Sequence, residues 1–259
     1  MKIQRIAKRL DDAAFSAQAT QQMTGEDSIT LDEAYAVQEG VVGHRLARGA
    51  EVVGLKMGFT SRAKMAQMGV SDLIWGRLTS DMFVEEGGEA ILSHYVHPRV
   101  EPEVCFLLKK RLEGNVTPLQ ALAAVEAVAP ALEIIDSRYQ NFKFSLPDVV
   151  ADNASSAGFV VGGWHRPDVD IDNLGLIVSF DGRPMEMGST AGILGSPIRA
   201  LVAAARLAAQ RNLVLEPGSL ILAGAATAAI ALKPGVSVRA EFQTLGNVAF
   251  NVQQGESEQ

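Results

Sequence analysis

Apolar residues recur at helical spacing in two places near the start of the chain. Over residues 2–22 they fall at Ile3, Ile6, Ala7, Leu10, Ala14 and Ala17, and over 31–48 at Leu31, Ala34, Tyr35, Val41, Val42 and Leu46. Each segment predicts an amphipathic helix with one buried face. Thr30 followed by Glu33 forms a capping box that fixes the start of the second helix, and Gly49 stops it. No strand pattern separates the two, so the chain leads with a helical pair.

Beyond Gly49 the period changes. VVGLKMGFTS (52–61) mixes β-branched residues with two glycines, and a short basic, helix-like stretch, RAKMAQMGV (62–70), follows it. Segments 103–109, 131–136, 158–163, 174–180, 219–223, 236–242 and 247–252 have the length and side-chain types of strands. Asp181-Gly182 predicts a tight hairpin between 174–180 and 183–187, and Glu216-Pro217-Gly218 and Lys233-Pro234-Gly235 predict turns. Two later helices are marked by a cap residue followed by proline at the first helical position: Thr117-Pro118 opens 118–128 and Ser196-Pro197 opens 197–211. Helices and strands do not alternate regularly, which argues against a dinucleotide-binding or (β/α)-barrel architecture. The pattern predicts an α/β (α+β) protein: a helical segment over 1–75, a strand-rich body over 76–253, and a polar, disordered tail over 254–259.

Composition narrows the partners. A chain of 259 residues with 47% hydrophobic and 20% charged residues is globular and long enough for a sizeable core. Twenty-three basic against 30 acidic residues leave a net charge of −7. No basic stripe is present; the longest basic cluster, Lys109-Lys110-Arg111, suits a solvated strand end, so no nucleic-acid partner is expected. Cys105 is the single cysteine, so no intrachain disulfide is possible. The first residues lack the apolar core of a secretory signal, and no run approaches the ~18 apolar residues of a membrane helix. A cytoplasmic protein acting on a small molecule, with no membrane partner, is the expectation.

Candidate chemistry concentrates in 99-RVEPEVCFLL-108. In a strand, residues two apart share a face, so Glu101 and Glu103 project together, and Pro102 between them sets the pair at an edge or a strand start. Like charges so close repel, and a divalent cation removes the penalty. A ligand set of oxygens alone favours magnesium, manganese or calcium over zinc. Glu133, inside the apolar run APALEIID (129–136), is a buried acid that requires a partner. Three salt bridges, with Arg99 and Arg138 as cations, are the competing reading. Lys56 in GLKMGFTS (54–61) is either a lysine covering the surface or a source of charge or a proton beside a metal site. ADNASSAGF (151–159) is either a turn or a set of hydroxyl and amide donors for a bound carboxylate. His44, His94, His97 and His165 are scattered with no ligand spacing. Cys105 falls on the Glu101/Glu103 face as a small core residue. The spaced glycines of GSTAGILG (188–195) do not follow the dinucleotide fingerprint, and no phosphate loop or nucleophile elbow is present.

Taken in order, GLKMGFTSRAKMAQMGV, RVEPEV, ALEIIDSRYQNFKF and VVADNASS resemble the fumarylacetoacetate hydrolase superfamily, within it the hydratase/decarboxylase branch of aromatic meta-cleavage catabolism. The resemblance covers about Leu31 to Val252. It implies a mixed β-roll core and a Mg²⁺ or Mn²⁺ ion held by Glu101, Glu103 and Glu133. It further implies Lys56 and Asp81 as catalytic residues and Ser61, Ser155 and Leu194 as substrate-binding residues. Leu55 before Lys56, AKMAQMGV and SRYQNFKF resemble the decarboxylases, which implies loss of carbon dioxide from 4-oxalocrotonate. The sister hydratase activity, or a catalytically weak subunit supporting a partner enzyme, are the alternatives. In GRLTSDMF (76–83), Ser80 stands where both groups carry an aspartate and Asp81 follows one position later; in a strand that shift turns the side chain to the other face. Met65 and Met68 are candidate liners of an apolar pocket end, and Ser155 or the helix start at 196–198 a candidate carboxylate site. No organic cofactor is implied. A homo-oligomer and a complex with the sister hydratase are also implied.

Overall fold

The computed structural model describes residues 1–61, 65 and 72–255. The helical pair forms as α1 (Lys2–Phe15) and α2 (Leu31–Ala47), packed against each other. The Thr30 hydroxyl accepts from the Glu33 N–H at 3.2 Å and the Glu33 carboxylate accepts from the Thr30 N–H at 2.8 Å, completing the capping box. α1 ends earlier than its apolar spacing predicts. Ala17 turns left-handed (φ 51°), and the chain leaves the helix so that Thr20 bridges to Tyr139.

The rest of the chain builds two mixed sheets. The first contains β1 (Val52–Gly58), β2 (Ile74–Thr79), β4 (Arg99–Leu108), β5 (Val125–Ile135), β6 (Ser156–Val161) and β9 (Leu220–Leu222), in the order β2-β1-β9-β4-β5-β6, with the two-residue β10 (Ile230–Ala231) paired to β4. The second contains β3 (Glu89–Ile91), β7 (Gly175–Phe180), β8 (Arg183–Ser189), β11 (Ser237–Phe242) and β12 (Gly246–Gln253), in the order β3-β12-β11-β7-β8. β7 and β8 are the hairpin that Asp181-Gly182 predicts.

The first sheet curls until its ends meet. The Val84 N–H, just past β2, donates to the Phe159 carbonyl of β6 at 2.9 Å. The Asn153 amide ties to the β2 edge from the other side, accepting from the Arg77 N–H at 2.7 Å and donating to the Arg77 carbonyl at 2.8 Å. The roll has two different faces, as the two-residue strand period requires. Inside lie Leu78, Met82, Cys105, Ala129, Ala131, Phe159 and Leu222. Outside, Val100, Val104, Phe106, Leu132 and Ile134 join the main core with Val238, Ala240, Val248 and Phe250 of the second sheet. Removing both faces of β4 and β5 from water is the chief apolar driving force for the roll.

Among the described residues, three further helices cover the roll: α3 (Pro118–Ala123), α4 (Leu146–Ala151) and α5 (Pro197–Ala209). α3 stops short of the predicted residue 128. The alanine-rich run that suits a helix enters β5 at Val125 instead, because β5 pairs with β4 along almost its whole length; pairing and burial override local propensity there. α5 with its preceding turn, Thr190–Ala209, has the length and hydropathy of a membrane span, yet 56% of it is buried in this fold. The domain boundary expected at 75/76 falls inside β2, and β1, from the expected first segment, lies within the first sheet. The helical layer and the roll therefore share one core: the buried Gln38 amide of α2 donates to the Trp75 and Val150 carbonyls, both at 3.0 Å. Of the expected tail, Gln254 accepts from the Ser93 N–H at 3.2 Å, and 256–259 lie outside the described residues, as does most of the helix-like stretch 62–70, including Met68.

Candidate metal centre

Strand register assembles the acids. Glu101 on β4 is paired directly with Glu133 on β5, and Glu103 follows two residues along the same face. One carboxylate oxygen from each of the three lies within 4.8 Å of the others. All three are buried, Glu103 and Glu133 completely. The competing salt-bridge reading does not hold for Arg138, which is bound to Asp152 through its Nε at 2.5 Å. Among the described residues, Lys56 of β1 does reach the acids. It is only 3% exposed, and its Nζ lies 2.9 Å from Glu133 Oε2 and donates to the Ala154 carbonyl at 3.0 Å. Lys56 therefore does not cover the surface.

Burial pushes the Glu103 carboxyl well above the usual carboxylate range, and Glu133 beside it pushes the same way while Lys56 opposes. Burial also raises Glu133 against the pull of Lys56. For Lys56 burial works against the charge, but Glu133, Glu103 and Glu101 outweigh it and hold the ammonium above its ordinary value. Lys56 is paired with Glu133, and the fully buried Glu103 carboxylate lies beside that pair. Glu103 Oε1 and Glu133 Oε1 are buried and accept no hydrogen bond from any described residue. Buried acceptors left this way cost stability unless a cation fills the gap. The residues fit a hard divalent cation bound through oxygen.

The surrounding backbone is bent to serve this cluster. Asn153, Ala154 and Ser155 are successive left-handed residues (φ 52°, 51° and 60°) between α4 and β6. Non-glycine residues rarely adopt this conformation, and a run of three stores strain. The turn points the Ala154 carbonyl at Lys56, and the buried Ser155 Oγ has no partner among the described residues. Gly224 (φ 102°) directs its N–H to Glu103 Oε2 at 2.6 Å; a Cβ there would lie 2.1 Å from Thr60 Oγ1, so only glycine fits.

A cavity of about 410 Å³ opens beside the cluster, and its polar lining residues are Lys56, Arg99, Glu101 and Ser155. Phe59, Ile74, Ile135, Phe142, Phe144 and Val149 make most of its remaining wall. Lys56 lies against Glu133, and Ser155 lines the same cavity. Asp81 does not line it. β2 ends at Thr79, and the tight turn Ser80–Met82 rotates Met82 into the roll, leaving Asp81 exposed and paired with Arg45 of α2 at 2.6 Å. Leu194 and Ser61 do not line the cavity; the Leu194 N–H donates to the Thr60 carbonyl at 2.9 Å, next to the lining residue Phe59. The helix start at 196–198 is also off the cavity: Ser196 accepts from the Ile198 N–H and donates to Asp172. Met65 is half-buried against the main core. Cys105 is a fully buried core residue whose thiol burial pushes up, out of nucleophilic range. Sequence reasoning missed Gly224 and the Ala154 carbonyl, both backbone contributions; the φ-permissive residues Asn153 and Gly224 were the available signals.

The fumarylacetoacetate (FAA) hydrolase C-terminal family model matches residues 59–253. The match begins after β1, leaving Lys56 just outside it. A 4-oxalocrotonate decarboxylase of a Pseudomonas species is 73% identical over 251 residues, 97% of this chain and 98% of its own length. A 2-keto-4-pentenoate hydratase of Paraburkholderia xenovorans is 35% identical over 223 residues, 85% of this chain and 83% of its own. Among solved structures, 4-oxalocrotonate decarboxylase from Pseudomonas putida G7, complexed with magnesium and adipate, superposes with a TM-score of 0.93 at 37% identity, covering 96% of this chain and 97% of that one. The roll, the three buried glutamates and these matches over nearly the whole length lead to one conclusion: the chain belongs to the fumarylacetoacetate hydrolase family.

Proposed function

We propose that this protein is a lyase that converts 4-oxalocrotonate (2-oxohex-3-enedioate) to 2-hydroxypenta-2,4-dienoate and carbon dioxide in the meta-cleavage breakdown of aromatic compounds. Glu101, Glu103 and Glu133 hold Mg²⁺, or Mn²⁺ in its place. The observation that carries the reading is the buried trio of carboxylates facing Lys56 at the head of an apolar cavity. The 73% identity to a 4-oxalocrotonate decarboxylase supports this substrate over that of the hydratases, which match at about half that identity.

When bound, the divalent ion supplies the Lewis acidity that draws electrons toward the 2-oxo oxygen. The C5–C6 bond breaks, its electron pair becomes the C4–C5 double bond, the C3–C4 pair moves to C2–C3, and the former carbonyl oxygen takes a proton. Lys56 keeps a proton on Nζ at the polar end of the cavity, fixed by Glu133 and the Ala154 carbonyl. It offers positive charge, or that proton, to the oxygen on which charge develops. The unpartnered Ser155 Oγ donates to a substrate oxygen. Phe59, Ile74, Phe144 and Val149 exclude water, so that carbon dioxide leaves and no water adds. Ser61 and Leu194 act as supports of the cavity wall. Asp81, on the outer surface, takes no part in the bond changes.

Residence in the cytoplasm, a homo-oligomeric state and a complex with the sister hydratase belong to the same proposal; the likeness to hydratases over most of the chain supports the last. The deciding experiment supplies the Mg²⁺-loaded protein separately with 4-oxalocrotonate and 2-hydroxypenta-2,4-dienoate. Carbon dioxide should be released from the first, and the second should not be hydrated at a comparable rate. Efficient hydration without gas release would assign the protein to the sister activity and leave the metal site standing.

A further inference from the structure

Arg99 starts β4 two residues before Glu101, on the same face of the strand, and lines the cavity. The other cation on the described wall, Lys56, is paired with Glu133. Arg99 has no carboxylate within 4.0 Å among the described residues. Its guanidinium lies instead over the ring of Phe142, 4.4 Å from the centroid. That ring is held by two successive left-handed residues, Asn141 (φ 60°) and Phe142 itself (φ 56°), and is packed against His97 and Phe144 at 5.1 and 5.8 Å. Backbone strain of this kind persists where the surroundings over-determine it, and here it places an aromatic platform under a cation. Arg99 and Phe142 also line a second hollow of about 380 Å³, with His97, Asn141 and Leu232. The pair is therefore the wall between the inner cavity and that hollow.

We propose that Arg99 selects dicarboxylate substrates by pairing with the carboxylate remote from the glutamate cluster. The inference rests on the proposed reading of the site as one that binds a 2-oxo acid at the glutamates. Two residues of extended strand put the Arg99 and Glu101 Cα atoms about 7 Å apart, a span on the scale of a six-carbon diacid. The lining residues Ile135, Phe144, Ala228 and Ala229 offer nothing to a charged group, and an unpaired carboxylate against an apolar wall is strongly disfavoured. A guanidinium meets a carboxylate with two parallel hydrogen bonds, and its ring platform fixes its plane in advance. The remote carboxylate departs as neutral carbon dioxide, so this ion pair favours the bound substrate and not the transition state. Arg99 thus acts on KM, whereas Lys56 acts on kcat.

The test compares adipate with hexanoate, which has one carboxylate replaced by a methyl group, by titration calorimetry on Mg²⁺-loaded protein. Wild type should bind adipate at least about tenfold more tightly than hexanoate. Arg99→Gln should weaken adipate by about the same factor and leave hexanoate within about twofold, while Arg99→Lys retains part of the discrimination. With 4-oxalocrotonate, Arg99→Gln should raise KM with kcat kept within about threefold. Equal weakening of both ligands would place Arg99 at the metal end or in the fold, and unchanged discrimination would leave it no role; either overturns the proposal. If no carbon dioxide is released yet Arg99→Gln abolishes discrimination between the ligands, the reaction is misassigned and the role of Arg99 survives. If turnover is normal and Arg99→Gln changes neither KM nor discrimination, the role of Arg99 alone is refuted.

Discussion

Glu101 and Glu133 face each other as direct cross-strand partners on β4 and β5. Like charges in that relationship destabilise a sheet, and Glu103 beside them is fully buried. Glu103 and Glu133 each keep a buried oxygen with no hydrogen bond from the described residues, a cost that a bound divalent cation removes. Replacing Glu103 with glutamine should therefore have opposite effects with and without metal. Without metal, Glu103→Gln should melt at or above the wild-type temperature, because a buried repulsion is gone and the Gly224 N–H can still find an amide oxygen. Wild type should gain about 2.7 kcal/mol at Mg²⁺ a hundredfold above its Kd, and the variant should lose most of that gain. Thermal melting with and without Mg²⁺ reads both effects. A variant that melts lower in both conditions would mark Glu103 as a structural acid.

Lys56 is the positive member of this cluster, 2.9 Å from Glu133. Lys56→Met should lower kcat by roughly 10²-fold or more with Mg²⁺ affinity largely kept. Breaking a buried pair from one side costs about 3–5 kcal/mol, so metal-free Lys56→Met should also melt below wild type, and Mg²⁺ should restore much of the difference. Wild-type kcat in the variant would remove Lys56 from the mechanism.

Much of this site was legible from residue order because it is built on strands. The alternation of Glu101, Pro102 and Glu103 fixes a shared face whatever the surrounding topology, and Glu133 stands out as an acid in an apolar run. What the sequence left hidden depends on chain reversals. The one-residue offset between Ser80 and Asp81 is settled by a tight turn that interrupts the strand period, which no alternation rule anticipates. Alanines 121, 123, 124 and 127 favour a helix locally over 118–128, while β4 offers the segment from Val125 onward a strand partner. The Ala154 carbonyl and the Gly224 N–H carry no side-chain signature, and Arg99 gave the wrong signal: an arginine near two glutamates suggests a salt bridge, but its ring contact is with Phe142.

Asp81 offers a direct check on the turn. It is exposed, paired with Arg45 and absent from the cavity wall. Asp81→Asn should leave kcat within a few-fold of wild type and change stability by about 1 kcal/mol or less. A drop in kcat of the size expected for Lys56 would mean that the turn rearranges to bring Asp81 to the substrate.

Asn153 connects closure of the roll to the position of the catalytic lysine. Its amide makes two hydrogen bonds to the backbone of Arg77, and its left-handed φ begins the run that ends at Ser155. Asparagine tolerates that conformation better than most residues. Asn153→Ala removes both bonds, leaves the Arg77 N–H and carbonyl to find other partners, and puts a residue with poorer left-handed tolerance at the start of the turn; a loss of about 2–4 kcal/mol is expected. The same change frees the Ala154 carbonyl, which otherwise holds Lys56 Nζ at 3.0 Å. kcat should therefore fall even at temperatures where the variant is fully folded, with KM changed less. Asn153→Asp separates the two effects. It keeps the turn preference and the acceptor for the Arg77 N–H but loses the donor to the Arg77 carbonyl, so it should lie between wild type and Asn153→Ala in both melting temperature and kcat. A fall in melting temperature with no change in kcat for either variant would show that the left-handed turn closes the roll without positioning Lys56.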